Sequence, residues 1–344
     1  MSRKRAILAV VAIFSCVLAL MAGEKKIVVL TAPGTYDSPI GPAEIKEFEA
    51  YAPGVCIVAP DKAHLMEELA DADGVLGPIN PEMVRAAKKL QWVQVFSAGV
   101  EHYLFPELAN SNITLTNCKI TQGPEIADHA FALLLALTRE LNRIIPQQAE
   151  EEWDSRSYNP LELQGKTAVV IGVGGIGTQI AIRAWAFGMK VIGVNPKDIP
   201  HTPYMAYTVP PDRLDSVLPE ADVVFVSAPL TRESEKMVGA KQFSLIKQGG
   251  YFICVSRGKL YDAMALAQAL ESKHLAGAGL DVTDPEPLPK GHPLWKMENV
   301  VITPHIAGRS DGTRARYLEL FKENLRRFGA GEPLIHVVDK QKGY

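Results

Sequence analysis

Short apolar runs alternate with amphipathic segments along nearly the whole chain. In the first third, runs of strand length predict β-strands at residues 27–30, 55–59, 74–76, 92–96 and 113–116. The segments between them have helical spacing and predict helices at residues 43–50, 64–70 and 81–89. Strands and helices that alternate in this way form parallel sheets covered by helices on both faces. The pattern therefore predicts an α/β fold with doubly wound parallel sheets.

The alternation continues in the second part of the chain. Apolar β-branched runs predict strands at residues 168–171, 190–194, 251–255 and 300–302, and the pattern also runs through the apolar segments ADVVFVSAP at 221–229 and AGAGLDV at 276–282. An apolar stretch after Pro124 predicts one long helix through residue 145, because proline fits the first turn and the apolar face is broad. A charged amphipathic segment predicts a last helix at residues 310–328. This helix is expected to fold back on the first block of strands and helices, at residues 27–116.

A glycine-rich turn follows the strand predicted at residues 168–171. Gly172, Gly174 and Gly177 have the Gly-x-Gly-x-x-Gly spacing, between that strand and a helix that leads to another strand. Such glycines permit a tight turn, the approach of a pyrophosphate to the backbone, and close packing of helix and strand. The backbone N–H groups of Gly175 and Ile176 open the helix and are expected to bind the pyrophosphate. A turn that serves packing alone is the alternative, but the strand–helix–strand context favours dinucleotide binding.

The residue type after the next strand bears on the choice between NAD and NADP. Asn195 occupies the position where an acidic residue would bind the ribose 2′-hydroxyl and repel a 2′-phosphate. The asparagine repels neither cofactor, and Lys197 could attract the phosphate. The sequence therefore predicts NAD or NADP, with a preference for NADP.

Composition places the chain among ordinary globular proteins. It has 344 residues, of which 47% are hydrophobic and 22% charged, enough for two domains of ordinary size. A formal net charge of −3 argues against a broad nucleic-acid surface. The four cysteines form no C-x-x-C pair, so neither a metal site nor a disulfide framework is predicted. The first block has no phosphate-binding glycines and is expected to hold a substrate.

The N-terminus has the layout of a secretory signal. A basic stretch at residues 2–5 precedes an apolar run from Ala6 to Leu20, and small residues follow up to Gly23. Residues 1–22 are therefore predicted to be a signal peptide or an uncleaved signal anchor, and the protein to be exported or membrane-anchored. The alternative is a translation start at Met21, which would give a cytoplasmic protein.

Five motifs in order resemble one known family. They are SAGVEH at 97–102, GVGGIG at 172–177, VSRGKLYD at 255–262, GLDVTDPEPLP at 279–289 and TPHIAG at 303–308. Together they are similar to the D-isomer-specific 2-hydroxyacid dehydrogenases over nearly all of residues 25–331. The resemblance implies a Rossmann cofactor domain at 122–309 inserted into a flavodoxin-like substrate domain at 24–121 and 310–335. It also implies a homodimer formed through the Rossmann domain.

Three side chains suit the reaction that this resemblance implies, hydride transfer between a nicotinamide and a small 2-keto or 2-hydroxy acid. Arg257 follows a predicted strand and can grip a carboxylate and polarise a carbonyl. His305, also at a strand end, can donate and accept the proton. Glu286 is expected to orient the His305 ring. The alternatives are a surface arginine, a core or capping histidine and a solvated loop glutamate, and the matching local motifs favour the catalytic roles.

The resemblance assigns further binding residues. The backbone of Ala98, Gly99 and Val100 is expected to bind the substrate carboxylate. Val255 and Asp281 are expected on the cofactor side, with Asp281 near the nicotinamide.

Other residues are expected to be structural. Cys254 stands where many relatives carry asparagine and is expected to be tolerated. His129, within the long helix, is expected to be packed between the domains.

The predicted function is an NAD(P)-dependent reductase of small 2-keto acids such as glyoxylate or hydroxypyruvate. Two alternatives remain from the sequence: a phosphite dehydrogenase, which has the same Arg, Glu and His, and a non-enzymatic NAD(H)-sensing module of the same superfamily. Glu286 disfavours a formate dehydrogenase, in which glutamine is usual at that position.

Overall fold

The computed structural model describes residues 24–30 and 40–344. The described residues divide into two compact units: those within Met1–Thr121 together with Ser310–Tyr344, and Gln122–Arg309. The predicted signal segment at residues 1–22 lies outside the described residues. Within the described ranges, no helix combines the length and the apolar character needed to span a bilayer.

The first unit is built on a five-stranded parallel sheet. Its strands are β1 (Lys25–Val29), β2 (Val55–Val58), β3 (Gly74–Leu76), β4 (Trp92–Gln94) and β5 (Thr114–Thr116). Its helices are α1 (Pro42–Tyr51), α2 (Leu65–Leu69), α3 (Pro81–Ala86), α4 (Pro106–Ala109) and α11 (Thr313–Ala330). The strand order β2-β1-β3-β4-β5 is the flavodoxin-like order.

Alternating side chains of the strands enter two separate cores. Ile27 and Val29 pack on one face with Phe48 of α1 and Phe321 of α11, so the last helix covers the first block as predicted. The next residue along β1, Val28, enters the opposite core. Burial on both faces explains why the run at residues 27–30 is continuously apolar rather than alternating.

The second unit is built on a seven-stranded parallel sheet in the order β12-β11-β10-β9-β6-β7-β8. Its strands are β6 (Thr167–Ile171), β7 (Lys190–Val194), β8 (Tyr207–Val209), β9 (Val223–Val226), β10 (Gly250–Cys254), β11 (Leu275–Leu280) and β12 (Val300–Ile302). Its helices are α5 (Gly123–Thr138), α6 (Leu141–Gln147), α7 (Gly175–Ala186), α8 (Leu214–Val217), α9 (Ala240–Leu245) and α10 (Ala263–Glu271). This is the Rossmann strand order with one further strand.

Here too the sheet is covered on both faces. Ala168 and Val170 of β6 pack with α5 and α7, whereas Val169 and Ile171 pack with α8, α9 and α10. The predicted fold class, two doubly wound parallel-sheet domains, is confirmed. The strand order changes direction between β6 and β9, and such switch points form ligand crevices at the carboxyl ends of strands.

Two sequence expectations for the second unit are wrong. The helix predicted to run unbroken to residue 145 divides into α5 and α6, because Glu140 adopts a left-handed conformation with φ of 57°. The Glu140 carboxylate accepts hydrogen bonds from Arg143 and from the backbone N–H of Asn159, which fixes this bend. The pattern also missed β8, a strand of only three residues at the sheet edge.

Candidate active site

The glycine turn joins β6 to α7 at the switch point of the second sheet. Gly172 has φ of 89°, and a Cβ atom there would lie 2.5 Å from the backbone of Ala228. A Cβ atom at Gly177 would lie 1.9 Å from the carbonyl oxygen of Gly172. At Gly174, by contrast, a Cβ atom would meet nothing within 4 Å. Gly172 and Gly177 are therefore required by the fold itself, whereas Gly174 leaves open space above the turn.

Residues from the neighbouring strand ends hold this turn. Ser227, after β9, donates a hydrogen bond of 2.7 Å to the carbonyl oxygen of Gly172. The Asn195 side chain, after β7, accepts a 3.2 Å bond from the N–H of Val173 and donates a 2.9 Å bond to the carbonyl oxygen of Lys197. Asn195 therefore stabilises the glycine turn. It occupies the position where an acidic side chain that binds the cofactor ribose is expected.

The turn fits a dinucleotide. Gly175 and Ile176 open the twelve-residue helix α7, where the first N–H groups have no intrahelical acceptor and the helix dipole favours an anion. The open space at Gly174 leaves room for a pyrophosphate to approach these amides. The remaining predicted cofactor residue near a strand end, Val255, is buried after β10, and its N–H bonds to the carbonyl oxygen of Val226.

The three predicted catalytic residues follow adjacent parallel strands. Arg257 comes after β10, Glu286 after β11 and His305 after β12. The loops that carry the first two are in backbone contact, since a Cβ atom at Gly258 would lie 1.9 Å from the carbonyl carbon of Thr283. The carboxyl ends of the three strands thus bring a guanidinium, a carboxylate and an imidazole to one edge of the sheet.

His305 and Glu286 are directly paired. The Nδ1 atom of His305 lies 2.8 Å from Oε2 of Glu286, and both side chains are partly exposed. The other carboxylate oxygen, Oε1, accepts a 3.1 Å bond from the N–H of Thr283, which orients the carboxylate. Because a carboxylate only accepts, His305 Nδ1 carries the hydrogen, and Nε2 is the ring atom that can exchange a proton with a substrate.

Asp281 lies beneath the loop that carries His305. Its carboxylate is fully buried and accepts bonds from Thr303 Oγ1 at 2.6 Å and from the N–H groups of Ile306 and Ala307 at 3.0 and 2.9 Å. Its carbonyl oxygen accepts the N–H of His305 at 2.9 Å. In this structure Asp281 therefore organises the loop, and its contact with a nicotinamide stays a prediction.

The predicted carboxylate-binding loop, Ala98, Gly99 and Val100, lies in the first unit after β4. The Asn117 side chain donates a 2.6 Å bond to the carbonyl oxygen of Ala98, and Ser97 Oγ donates a 2.6 Å bond to that of Gly99. In a trans peptide the N–H points opposite to the C=O, so the N–H groups of Gly99 and Val100 point away from these donors. These two N–H groups bond to no acceptor within residues 24–30 and 40–344. Two neighbouring backbone donors of this kind can bind an anion.

Cys254 is structural. Its thiol is completely buried in β10 and lies 3.7 Å from the carbonyl oxygen of Arg257. Burial raises the pKa of this thiol from 9.0 to about 12. The thiol therefore stays neutral and serves as a small core group beside the Arg257 loop.

Comparisons with known proteins agree with this geometry. A family model described as "D-isomer specific 2-hydroxyacid dehydrogenase, NAD binding domain" matches residues 131–307. The glyoxylate reductase of Korarchaeum cryptofilum is 34% identical over 294 residues, which cover 82% of this chain and 87% of the relative. The chain belongs to the D-isomer specific 2-hydroxyacid dehydrogenase family.

Solved structures are similar to this chain over nearly its whole length. A D-isomer specific 2-hydroxyacid dehydrogenase from Xanthobacter autotrophicus, in complex with NADPH and MES, is 26% identical with a TM-score of 0.78, covering 93% of this chain and 100% of that chain. The NADPH-dependent glyoxylate/hydroxypyruvate reductase of Sinorhizobium meliloti, in complex with NADP and sulfate, is 27% identical with a TM-score of 0.77 and the same coverage.

Membership of the 2-hydroxyacid dehydrogenase family decides the reaction class. The protein is an NAD(P)-dependent oxidoreductase that interconverts 2-keto and 2-hydroxy acids. It is thus an enzyme, as predicted, rather than a non-enzymatic NAD(H) sensor. In the part of the chain that the structure describes, no three His, Cys, Asp or Glu side chains are grouped to hold a metal ion.

Sequence reasoning missed several residues that build the site. Asn117 and Ser227 directly follow a strand end and Ser97 is the third residue after one, so strand-end position was a usable signal for them. His129 gave no such signal, because it lies inside α5, yet its Nε2 is 2.8 Å from Thr303 Oγ1. The residues that hold a catalytic group are harder to find than the group itself, since they are distant in sequence.

Proposed function

We propose that this dehydrogenase reduces small 2-keto acids of the glyoxylate or hydroxypyruvate type, with NADPH as the preferred cofactor. The names of similar proteins support this substrate class: a glyoxylate reductase at 34% identity and an NADPH-dependent glyoxylate/hydroxypyruvate reductase at 27%. The observation that carries the proposal is the 2.8 Å pair of His305 and Glu286 on the strand end next to that of Arg257.

Different side chains have separate roles in the proposed reduction. When bound, a reduced nicotinamide supplies the hydride. The Arg257 guanidinium binds the substrate carboxylate and polarises the keto group, which lowers the cost of negative charge on oxygen. His305 donates a proton from Nε2 to that oxygen, and Glu286 orients the ring through Nδ1. In the first unit, the N–H groups of Gly99 and Val100 are proposed by themselves to be donors to a carboxylate.

A substrate panel tests the reaction. NADPH oxidation is followed with glyoxylate, hydroxypyruvate, pyruvate and larger 2-keto acids, and NADP reduction with phosphite. We expect the highest kcat/KM with the two smallest polar keto acids and none with phosphite. Turnover of phosphite alone, or of branched keto acids only, would contradict the proposed substrate class.

One histidine variant tests the proton donor. His305→Gln keeps a polar side chain without an acid, and kcat should fall by about 10²–10⁴-fold. The matched control is His201→Gln, an exposed histidine of the same unit, which should leave kcat unchanged. A His305→Gln enzyme as fast as its parent would refute the assigned role.

The cofactor preference rests on the end of β7. Asn195 carries no charge to repel a 2′-phosphate, and its side chain is bonded to Val173 and Lys197. Lys197 is exposed beside it and can attract the phosphate. We expect a lower KM for NADPH than for NADH, and Asn195→Asp should reverse the order. A wild-type preference for NADH would overturn this part of the proposal.

The exposed apolar side chains of the second unit support a homodimer. Trp153 is 96% exposed, and Leu141, Ile145, Trp185 and Phe187 are also exposed. We propose that a second copy of the chain covers them, because association removes exposed apolar side chains from water. Sedimentation should give twice the chain mass, and Trp153→Glu should yield monomers. Met264→Glu, at another exposed apolar residue of the unit, should not. A monomeric parent protein would exclude the dimer.

For residues 1–22 we propose a signal that exports the protein or anchors it to a membrane. The support is the basic, apolar and small-residue sequence pattern alone. N-terminal sequencing of protein from fractionated cells distinguishes cleavage after Ala22 from retention of the segment. Cytoplasmic protein that begins at Met21 would reject export and anchoring.

A further inference from the structure

We propose that His129 is a positioning residue for the catalytic loop, acting on His305 through Thr303 and Asp281. This inference rests on the proposed function, since it assigns a role within the same site. His129 lies in α5, and its side chain is 20% exposed. Its Nε2 atom is 2.8 Å from Thr303 Oγ1 and 3.4 Å from Asp281 Oδ1. A helix on one face of the sheet is thereby bonded to the strand-end loop.

The direction of each hydrogen bond follows from the chemistry of Asp281. Its ionised carboxylate can only accept, so the Thr303 hydroxyl donates its hydrogen to Oδ1 at 2.6 Å. The hydroxyl oxygen is then left as an acceptor for His129. His129 must therefore carry its hydrogen on Nε2, and the order of donation is His129 to Thr303 to Asp281.

Asp281 also accepts hydrogen bonds from the backbone around His305, so it connects His129 and Thr303 to that backbone. The same Oδ1 atom accepts the N–H of Ile306 at 3.0 Å, and Oδ2 accepts the N–H of Ala307 at 2.9 Å. Its own carbonyl oxygen accepts the N–H of His305. If Thr303 turned away, Oδ1 would lose its shortest donor and the buried carboxylate would be less well satisfied.

The catalytic histidine needs such support. His305 has φ of 52°, in the left-handed region that a side chain with a Cβ atom rarely adopts. Conformations of this kind persist only where surrounding contacts fix them. Its imidazole is partly exposed, and Glu286 is its only ring partner in the described chain. The backbone bonds organised by Asp281 therefore determine where Nε2 of His305 lies.

The experiment compares two variants of the full-length protein. His129→Leu removes the donor and keeps an apolar side chain on the α5 face. His129→Gln keeps an N–H donor near the position of Nε2. His274→Leu is the matched control, because His274 is a partly buried histidine of the same unit whose ring bonds to the carbonyl oxygen of Ile246.

The first measurement does not depend on activity. In hydrogen exchange, the amides of Ile306 and Ala307 should be protected in the parent protein, in His129→Gln and in His274→Leu. They should exchange faster in His129→Leu, at a temperature where all four proteins are folded. Unchanged protection in His129→Leu would overturn the proposal.

The second measurement is keto-acid reduction. His129→Leu should lower kcat by about 100-fold with the KM for NADPH unchanged, because a misplaced acid slows the chemical step. His129→Gln should recover most of kcat. The deuterium isotope effect on kcat with 4-deuterated NADPH should rise in His129→Leu, which a smaller fraction of folded enzyme would not cause.

The outcomes separate this inference from the proposed function. Faster exchange at Ile306 and Ala307 with an unchanged kcat and isotope effect would overturn the role of His129 in positioning His305. A parent protein that reduces no keto acid would refute the proposed function, while the exchange measurement would still decide whether His129 holds the loop.

Discussion

At the scale of single residues, the same amino acid serves different purposes within one turn. Gly172 and Gly177 lie where a Cβ atom would overlap the backbone, so the fold requires them. Gly174 faces open space, so the fold has no need of it. The sequence spacing identified all three glycines, but only the structure separates those that serve packing from the one that leaves room for a cofactor.

This difference predicts opposite effects of two alanine variants. Gly174→Ala should keep the melting temperature of the parent and raise the KM for the cofactor at least about tenfold, equivalent to about 1.4 kcal/mol of binding. Gly172→Ala forces a side chain into φ of 89° and into contact with Ala228, and should lower the free energy of unfolding by about 1–3 kcal/mol. Thermal unfolding and steady-state kinetics measure both. A Gly174→Ala protein that is destabilised but binds cofactor normally would contradict this assignment.

Asn117 and Ser97 carry a second prediction for single residues. Because they bond the carbonyl groups of Ala98 and Gly99, their loss should misalign the neighbouring N–H groups that are predicted to bind the substrate carboxylate. Asn117→Ser and Ser97→Ala should each raise the KM for the keto acid by up to about tenfold, the value of one hydrogen bond, and leave the KM for the cofactor unchanged.

The control for these variants is Asn112→Ser, at an exposed asparagine of the same unit. It should change neither constant. If Asn117→Ser raised the KM values of keto acid and cofactor equally, the loop would not have the specific role assigned to it.

At the scale of elements, the sequence predicts some helix boundaries and misses others. The division between α5 and α6 depends on one left-handed residue, Glu140, which apolar periodicity cannot reveal. Helix α11 was predicted within a few residues, because its apolar stripe is long and its end carries Gly331 in a left-handed cap. Near that end, Arg326 and Arg327 donate hydrogen bonds to Glu323.

The Glu323 cluster predicts how α11 responds to acid. Hydrogen bonds from Arg326 and Arg327 lower the pKa of Glu323 from 4.5 to about 2. Its ionised form therefore contributes stability above about pH 4.5, and that contribution is lost as the pH falls toward 2. Glu323→Gln should lower the melting temperature at pH 7, and the difference from the parent should shrink between pH 4.5 and 2.

Melting curves at a series of pH values measure this effect. Glu319→Gln is the control on the same helix, because Glu319 is 71% exposed and pairs with Lys322. A difference between Glu323→Gln and the parent that stays constant down to pH 2 would show that the carboxylate does not titrate in this range.

At the scale of the whole molecule, two parallel sheets of different strand order form two compact units. All the residues predicted to bind cofactor, and the three catalytic side chains, lie in the second unit, between Gln122 and Arg309. The loop predicted to bind the substrate carboxylate lies in the first unit. The last residues of the chain also belong to that unit, where Val338 is buried and bonds to Leu115.

A cofactor that binds the folded second unit should stabilise the protein. At 100 times its dissociation constant, NADPH should add about 2.7 kcal/mol to the free energy of unfolding and raise the melting temperature by several degrees. The shift should be smaller with the same concentration of NADH, and in Gly174→Ala it should fall to about 1.4 kcal/mol or less, because a tenfold weaker affinity leaves the NADPH concentration at only about ten times the dissociation constant. An equal shift in Gly174→Ala would mean that NADPH binds elsewhere.

The sequence by itself determined the fold class, the glycine turn and the identity of the strand-end side chains. These features are local: strand and helix periodicity, glycine spacing and the residue after each strand are all set within a few positions along the chain. Arg257, Glu286 and His305 were named because the local motifs around them resemble those of a known family, before any contact of their side chains was known.

Only the tertiary structure decided which residues support these groups. The bonds from His129 to Thr303, from Asn117 to Ala98 and from Ser227 to Gly172 join residues far apart in the chain. Such contacts depend on how the strands are ordered in each sheet and on which helix covers which face. Periodicity specifies that a residue is buried or lies at a strand end, but not which partner it meets there, because the partner is set by the packing of the complete sheet.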